Sequence, residues 1–263
     1  MDVTTFLGLE STDNRARFRL PVIREICGGR DSIYGGCGLA AAIEAAEAHT
    51  ERPTAWATCQ FLRPAHVGSV IDLRVEVLAA GRAVSHARVV ATVDEQEMFA
   101  TLISLGERDF PVAGVWATMP AVPGPEGLPA RYIRAQNKGG VRERFTELAV
   151  TDDPQGIMRN PDGRCAVWIT MPGGIPGTAS ALAIIGDEVS TGTSAVIEPD
   201  MQAPSIDNTL RVVNPKASEW VLADVELRAV ARGFAHGVVN LWSQDGELLA
   251  IAEQTGVIRV RGT

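Results

Sequence analysis

The sequence predicts an α+β fold in which one unit, a helix followed by long antiparallel strands, is made twice. Three observations predict it: the two halves of the 263-residue chain repeat, strand-like alternation follows a helical stretch in each, and a proline-rich segment divides them. A shift of 150 sets Val75, Glu76, Ala79, Arg82, His86, Val89, Glu97 and Ala100 against Val225, Glu226, Ala229, Arg232, His236, Val239, Glu247 and Ala250. That is 8 identities in 30 positions, against about 2 expected from ordinary residue frequencies. At 151, Pro53, Thr54 and Pro64 face Pro204, Ser205 and Pro215. Further upstream, at 141, Gly36, Ala40, Ala42, Ile43 and Glu47 face Gly177, Ala181, Ala183, Ile184 and Glu188. An internal duplication of about 110 residues is the economical reading.

Each half opens with a strand, at Arg17–Leu20 and Arg164–Thr170. A helix is expected next, from near Gly36 to His49, with Leu39, Ile43 and Ala46 on one face beside Glu44 and Glu47. Its counterpart runs from about Gly177 to Val189. Strands follow. Ile71, Leu73, Val75 and Val77 alternate with Asp72, Arg74 and Glu76, and Val221, Ala223, Val225 and Leu227 stand in a similar relation to Leu222, Asp224, Glu226 and Arg228. Period-two alternation means an antiparallel sheet with one wet face. Turns fall at Ala80–Arg82, Asp94–Gln96, Arg232–Gly233 and Gln244–Gly246, the last with the Asp-Gly chemistry of a tight hairpin. Five of the fifteen prolines lie between Pro111 and Pro129, and proline suits neither a helix interior nor a central strand. A polar, arginine-rich stretch of helical character follows around Arg142, Arg144 and Phe145. The expected organisation is therefore an N-terminal unit at 1–113, a proline-rich linker and polar segment at 114–155, and a C-terminal unit at 156–263.

A net charge of −8 and a pI of about 5.1 argue against a general nucleic-acid binder, which needs a basic footprint. The N-terminal MDVTTFLGLE has no basic region followed by an apolar one, so a cytoplasmic protein is expected. Cys165 to Gly186 holds 22 uncharged residues, but Pro172, Pro176 and three glycines interrupt it. A strand, a loop and a helix start explain that stretch better than a membrane span. Cys27, Cys37, Cys59 and Cys165 show no Cys-x-x-Cys spacing. Reduced, buried thiols are expected, with no metal, cofactor or disulfide framework.

Several segments resemble the acyl-CoA thioesterase II family. Tyr34 to Ala40 looks like the opening of that family's first helix, and Phe61-Leu62-Arg63-Pro64 is similar to one of its strands. Gly81-Arg82 through Arg88 to Ala91 follows its next hairpin. In the second half Ser205 to Asn208, Asn214-Pro215, Glu219-Trp220, Arg232-Gly233 to Gln244-Asp245-Gly246, and Gln254 to Arg259 fit as well. The resemblance covers most of the chain outside 115–155. It implies a double hot-dog fold, two tandem repeats in which a curved antiparallel sheet wraps a long helix. It further implies hydrolysis of an acyl-CoA thioester, no cofactor, and self-association into a homo-oligomer. The family's catalytic residues would fall on Asp187, Ser205 and Gln254. Cys37 stands where the family usually carries an amide, and the loop from Asp187 to Ser205 is shorter than expected.

The chemistry can also be argued from residue types. A carboxylate can deprotonate water, a hydroxyl and an amide can orient it, and N–H groups at a helix start can receive an oxyanion. Gly36 and Gly177, near the two helix openings, would allow close backbone approach to substrate. Arg63 and Arg232 could meet the phosphates of CoA. In the duplication Ala46 faces Asp187, Thr54 faces Ser205 and Ser104 faces Gln254, so only the second half carries carboxylate, hydroxyl and amide together. One asymmetric site per pair is expected. Asp207, two residues from Ser205 and on the same face of a strand, is the rival acid. His86 and His236 match in the repeat, which favours a shared structural role over catalysis. Two other readings stay open: a hot-dog hydratase or dehydratase built on an Asp–His pair, and a non-catalytic acyl-CoA or lipid-binding protein.

Overall fold

In the computed structural model, which describes residues 2–133, 137–197 and 201–260, twelve strands form one continuous antiparallel sheet. The first half contributes β1 (Glu10–Ser11), β2 (Arg17–Pro21), β3 (Thr54–Phe61), β4 (Val70–Ala80), β5 (Ser85–Val93) and β6 (Gln96–Leu105). The second contributes β7 (Thr146–Ala149), β8 (Arg164–Thr170), β10 (Asp207–Val212), β11 (Val221–Ala231), β12 (Phe234–Ser243) and β13 (Leu248–Val257). A separate pair joins β9 (Met201–Gln202) to β14 (Arg259–Val260). The order β2-β4-β5-β6-β3 in one half is mirrored by β8-β11-β12-β13-β10 in the other. The halves meet where β3 pairs with β10, and the Thr58 and Thr209 hydroxyls share a hydrogen bond of 2.7 Å there. This is the predicted double hot-dog.

The helices lie on the inner face. A short α1 (Val3–Leu7) is capped by Asp2, whose carboxylate accepts from the Thr4 and Thr5 N–H groups. The long α2 (Gly35–Thr50) matches its expected range. The second helix does not. It is broken into α3 (Ala179–Ile185) and α4 (Val189–Val196), with Gly186, Asp187 and Glu188 between them. Thr178 caps the start of α3, and Gly186 ends it. Beyond the break, α4 carries Thr191, Gly192 and Thr193, all weak helix formers.

Packing explains why the alternation takes this form. Ile71, Leu73 and Val75 of β4 face inward and are buried, while Asp72 and Arg74 face water. Leu39 and Ile43 of α2 and Leu182 and Ile184 of α3 fill the space with Phe99, Ile103, Val225, Val239 and Leu241. Burying one such Leu or Ile side chain stabilises the fold by about 1.5–3 kcal/mol. The outer face of the second half is also covered. Met119, Val122 and Leu128 of the proline-rich segment pack on Trp168, Leu222, Trp242 and Leu248, and Trp168 Nε1–H donates to the Pro123 carbonyl at 2.9 Å. Among its described residues the polar stretch beyond it forms a 3-10 turn (Val141–Arg144) and then β7, rather than a longer helix. The uncharged 165–186 stretch becomes β8, a loop and α3. Among the described residues no helix is long and apolar enough to cross a membrane.

Candidate active site

The break between α3 and α4 places Asp187 at the start of α2. Its Oδ2 accepts the Gly36 N–H at 2.8 Å, and its Oδ1 accepts from Gln254 Nε2. The Gln254 carbonyl in turn accepts the Val189 N–H at 3.0 Å, which fixes the amide's orientation. An acid at the end of α3 alone would oppose that helix's dipole. Here it meets the positive end of α2 instead, where Tyr34 supplies no side-chain cap. Tyr34 donates its hydroxyl hydrogen to the Asp187 carbonyl at 2.6 Å.

Asp187 is buried, and burial pushes its carboxyl above the ordinary value, against the lowering effects of Gln254, Gly36 and Arg142. Behind it lies a buried four-ion cluster. Arg142 bridges Glu147 and Glu188 at 2.7 Å each, and Arg131 bridges the same two at 2.7 and 3.0 Å. Thr191 donates to Glu188, and Arg131 donates to Thr191. Burial alone would raise Glu188, but Arg142 and Arg131 outweigh it and hold the carboxyl low. Arg142 also lies 5.5 Å from the Tyr34 ring centre.

Asp187 opens on a cavity of about 700 Å³. Ser205 lines the same cavity, half-buried just before β10 and bridged to Gly256. Its hydroxyl finds no hydrogen-bond partner among the described residues. The cavity walls mix Phe61, Phe99, Ile157 and Met158 with Tyr34, Ser190, Thr191 and Ser194. Arg63, Arg131, Arg142, Arg159 and Arg259 line it too. Arg63 donates to the Glu97 carbonyl, and Arg159 to the Ser194 and Ile197 carbonyls at the end of α4.

Other expected site residues lie elsewhere. Gly36 is not on the wall; a Cβ there would come within 2.8 Å of the Ala183 and Ile184 carbonyls, so it lets α2 and α3 approach. Gly35, one residue earlier, is the one that lines the cavity. Gly177 packs against Pro215–Ala217, away from Asp187. Arg232 sits at φ 55° in the exposed turn between β11 and β12. Asp207 is outside the cavity, and its Oδ1 accepts the Thr255 N–H at 2.7 Å. His86 pairs with Ser104 at 3.0 Å and His236 with Thr255 at 3.3 Å, matching contacts on exposed histidines. These two contacts also align Ser104 with Thr255, so Gln254 corresponds to Ile103 rather than to Ser104. Among the described residues no group of three or more His, Cys, Asp or Glu side chains could hold a metal ion.

A family model described as the acyl-CoA thioesterase C-terminal domain matches residues 117–258, and its N-terminal counterpart matches 24–106. The chain belongs to the acyl-CoA thioesterase family. A candidate thioesterase from Novosphingobium aromaticivorans is 32% identical, with a TM-score of 0.86 over 96% of this chain and 98% of that one. An acyl-CoA thioesterase II from Mycobacterium marinum shares the fold at 20% identity and TM-score 0.79, covering 99% of each chain. A hot-dog protein of unknown function from Alicyclobacillus acidocaldarius does so at 19% identity and TM-score 0.85, covering 98% of each. No curated protein matches the sequence. The fold thus brings Asp187 and Ser205 to one cavity, while Gln254 does not line it and reaches the site only through its bond to Asp187. Sequence reasoning missed the Arg131–Arg142–Glu147–Glu188 cluster and Tyr34, although the helix-opening motif itself begins at Tyr34.

Proposed function

We propose that the protein hydrolyses an acyl-CoA thioester to the free acid and CoA, with Asp187 activating the water. One observation carries this reading: a buried carboxylate and a hydroxyl meet at one cavity, and a carboxamide behind its wall is bonded to that carboxylate. Asp187 takes a proton from water as the oxygen attacks the thioester carbonyl carbon. Ser205 helps to hold that water for attack, and Gln254 keeps the carboxylate aimed at it. The first turn of α2, where Gly35 lines the cavity, offers N–H groups to the oxyanion. When the C–S bond breaks, the CoA thiolate takes the proton from Asp187, which returns the carboxylate. Arg63, Arg159 and Arg259, which form no ion pair among the described residues, suit the CoA phosphates. Association into a homo-oligomer and a cytoplasmic location belong to the same proposal.

Free-thiol release from acyl-CoAs of graded chain length tests it. Release that disappears in Asp187→Asn and persists in Asp207→Asn is expected. Turnover that survives Asp187→Asn but not Asp207→Asn overturns the assignment of the acid. Tight acyl-CoA binding with no thiol release at any chain length favours a binding protein instead.

A further inference from the structure

Asn208 is 1% exposed, and neither its carboxamide oxygen nor its nitrogen finds a hydrogen-bond partner among the described residues. Buried polar groups are nearly always paired, so such an amide calls for a reason. It belongs to a row across the inner face of the sheet. Thr101 of β6 pairs with Cys59 of β3, and Cys59 pairs with Asn208 of β10. Thr209 pairs with Glu253, and one step on this register sets Asn208 beside Gln254 of β13. All four side chains are buried, and the Thr101 hydroxyl is unpartnered as well.

The duplication supplies a control within the molecule. The same row seen from the other half is Ile103, Ala57, Leu210 and Ala252, entirely apolar and buried. The sheet therefore does not need polar groups at these depths. Of the two rows, only the one that ends at the Asp187 partner carries them.

We infer that Asn208 is a positioning residue for Asp187, acting through Gln254; this rests on the thioesterase reading above. Gln254 spends one Nε2 hydrogen on Asp187 and its oxygen on the Val189 N–H, which leaves a second hydrogen and a lone pair. The Asn208 carboxamide beside it complements both through one bridging water. So braced, the Gln254 amide stays aimed at the carboxylate that must hold the water.

The test compares wild type with Asn208→Ala, which copies Ala57, and with Asn208→Thr, which keeps the volume but not the carboxamide. The expected result is a kcat lowered about tenfold, the equivalent of one such hydrogen bond, with KM unchanged and Tm held or raised. The acid limb of the kcat profile should also move to higher pH, because the Gln254 bond favours the Asp187 carboxylate. Among the described residues Tyr34, Cys37, Cys59, Glu188 and Arg142 are the other titratable groups facing Asp187, and none is altered. If Asn208→Ala does not fold, Asn208→Thr carries the comparison. Unchanged kcat and acid limb in the folded variants, with Asp187→Asn inactive, overturn this inference and leave the thioesterase reading standing. A wild type that releases no thiol overturns both.

Discussion

Asp187 accepts the Gly36 N–H at 2.8 Å, so a carboxylate carried by the second half terminates the helix of the first. The contact needs the two helices to be close, and Gly36 is what permits that. A Cβ at this position would strike the backbone of Ala183 and Ile184 at 2.8–2.9 Å. Gly36→Ala should cost about 1–3 kcal/mol or more and lower kcat by displacing Asp187. Gly177→Ala meets backbone at Lys216 and Ala217 instead. It should lower Tm while leaving KM and the per-molecule kcat of the folded fraction unchanged. Thermal melts with parallel kinetics check both.

The pH dependence follows from two neighbouring acids with opposite shifts. The Asp187 carboxyl is raised above its ordinary 3.8, chiefly by burial. The native state therefore holds this proton more tightly than the unfolded chain, and stability falls as pH rises through the window from 3.8 to the raised value. Glu188 is held below its ordinary 4.5, because Arg142 and Arg131 overcome its burial. Its contribution is present above 4.5 and is lost as pH falls through the lowered value. Asp187→Asn should remove the first slope and leave the second, read as Tm against pH. Activity needs the carboxylate, so kcat/KM should rise with pH along a limb above the usual Asp range.

Arg142 tests the ion cluster. Arg142→Met leaves Glu147 and Glu188 with one guanidinium between them, deep in the protein. Removing one member of a buried charge network costs on the order of 3–5 kcal/mol. The double change Arg142→Met with Glu188→Gln should lose less, since fewer charges stay unpaired. Denaturant unfolding of the two variants gives the comparison.

Ser205→Ala should separate chemistry from folding. The hydroxyl is half-buried and forms no hydrogen bond among the described residues, so stability should change by less than about 0.5 kcal/mol. If the hydroxyl orients the water, kcat should drop roughly tenfold to a hundredfold at constant KM. Steady-state thiol release together with a melt measures both.

Much of the fold was readable because its signals are local. The alternation from Ile71 to Val77 and the alanine-rich run after Gly36 each specify one element without knowledge of the rest. The break at Gly186 was not readable, since the 3.6-residue pattern continues through Ile184 and only packing shows where the helix stops. Asp187, Ser205 and Gln254 could be named from residue types and family resemblance, but Arg131 and Arg142 could not. They lie 57 and 46 positions from Glu188, and nothing local in an arginine-rich stretch reveals which carboxylates it will meet. Gly36 shows a similar limit. The sequence marks a position that tolerates no side chain, but not whether a substrate or a neighbouring helix is the reason.

The pairing of β3 with β10 joins the two repeats within one covalent chain. An assembly of two identical subunits would have to bury Asn208, Gln254 and Asp187 twice, once for each copy of the sequence. In the tandem chain each copy mutates independently. One row can keep its unpaired amide while its mirror image is free to become Ala57 and Leu210. Linkage thus halves the instability that a demanding active site imposes, and it leaves the apolar mirror row as a place where stabilising changes can accumulate without touching turnover.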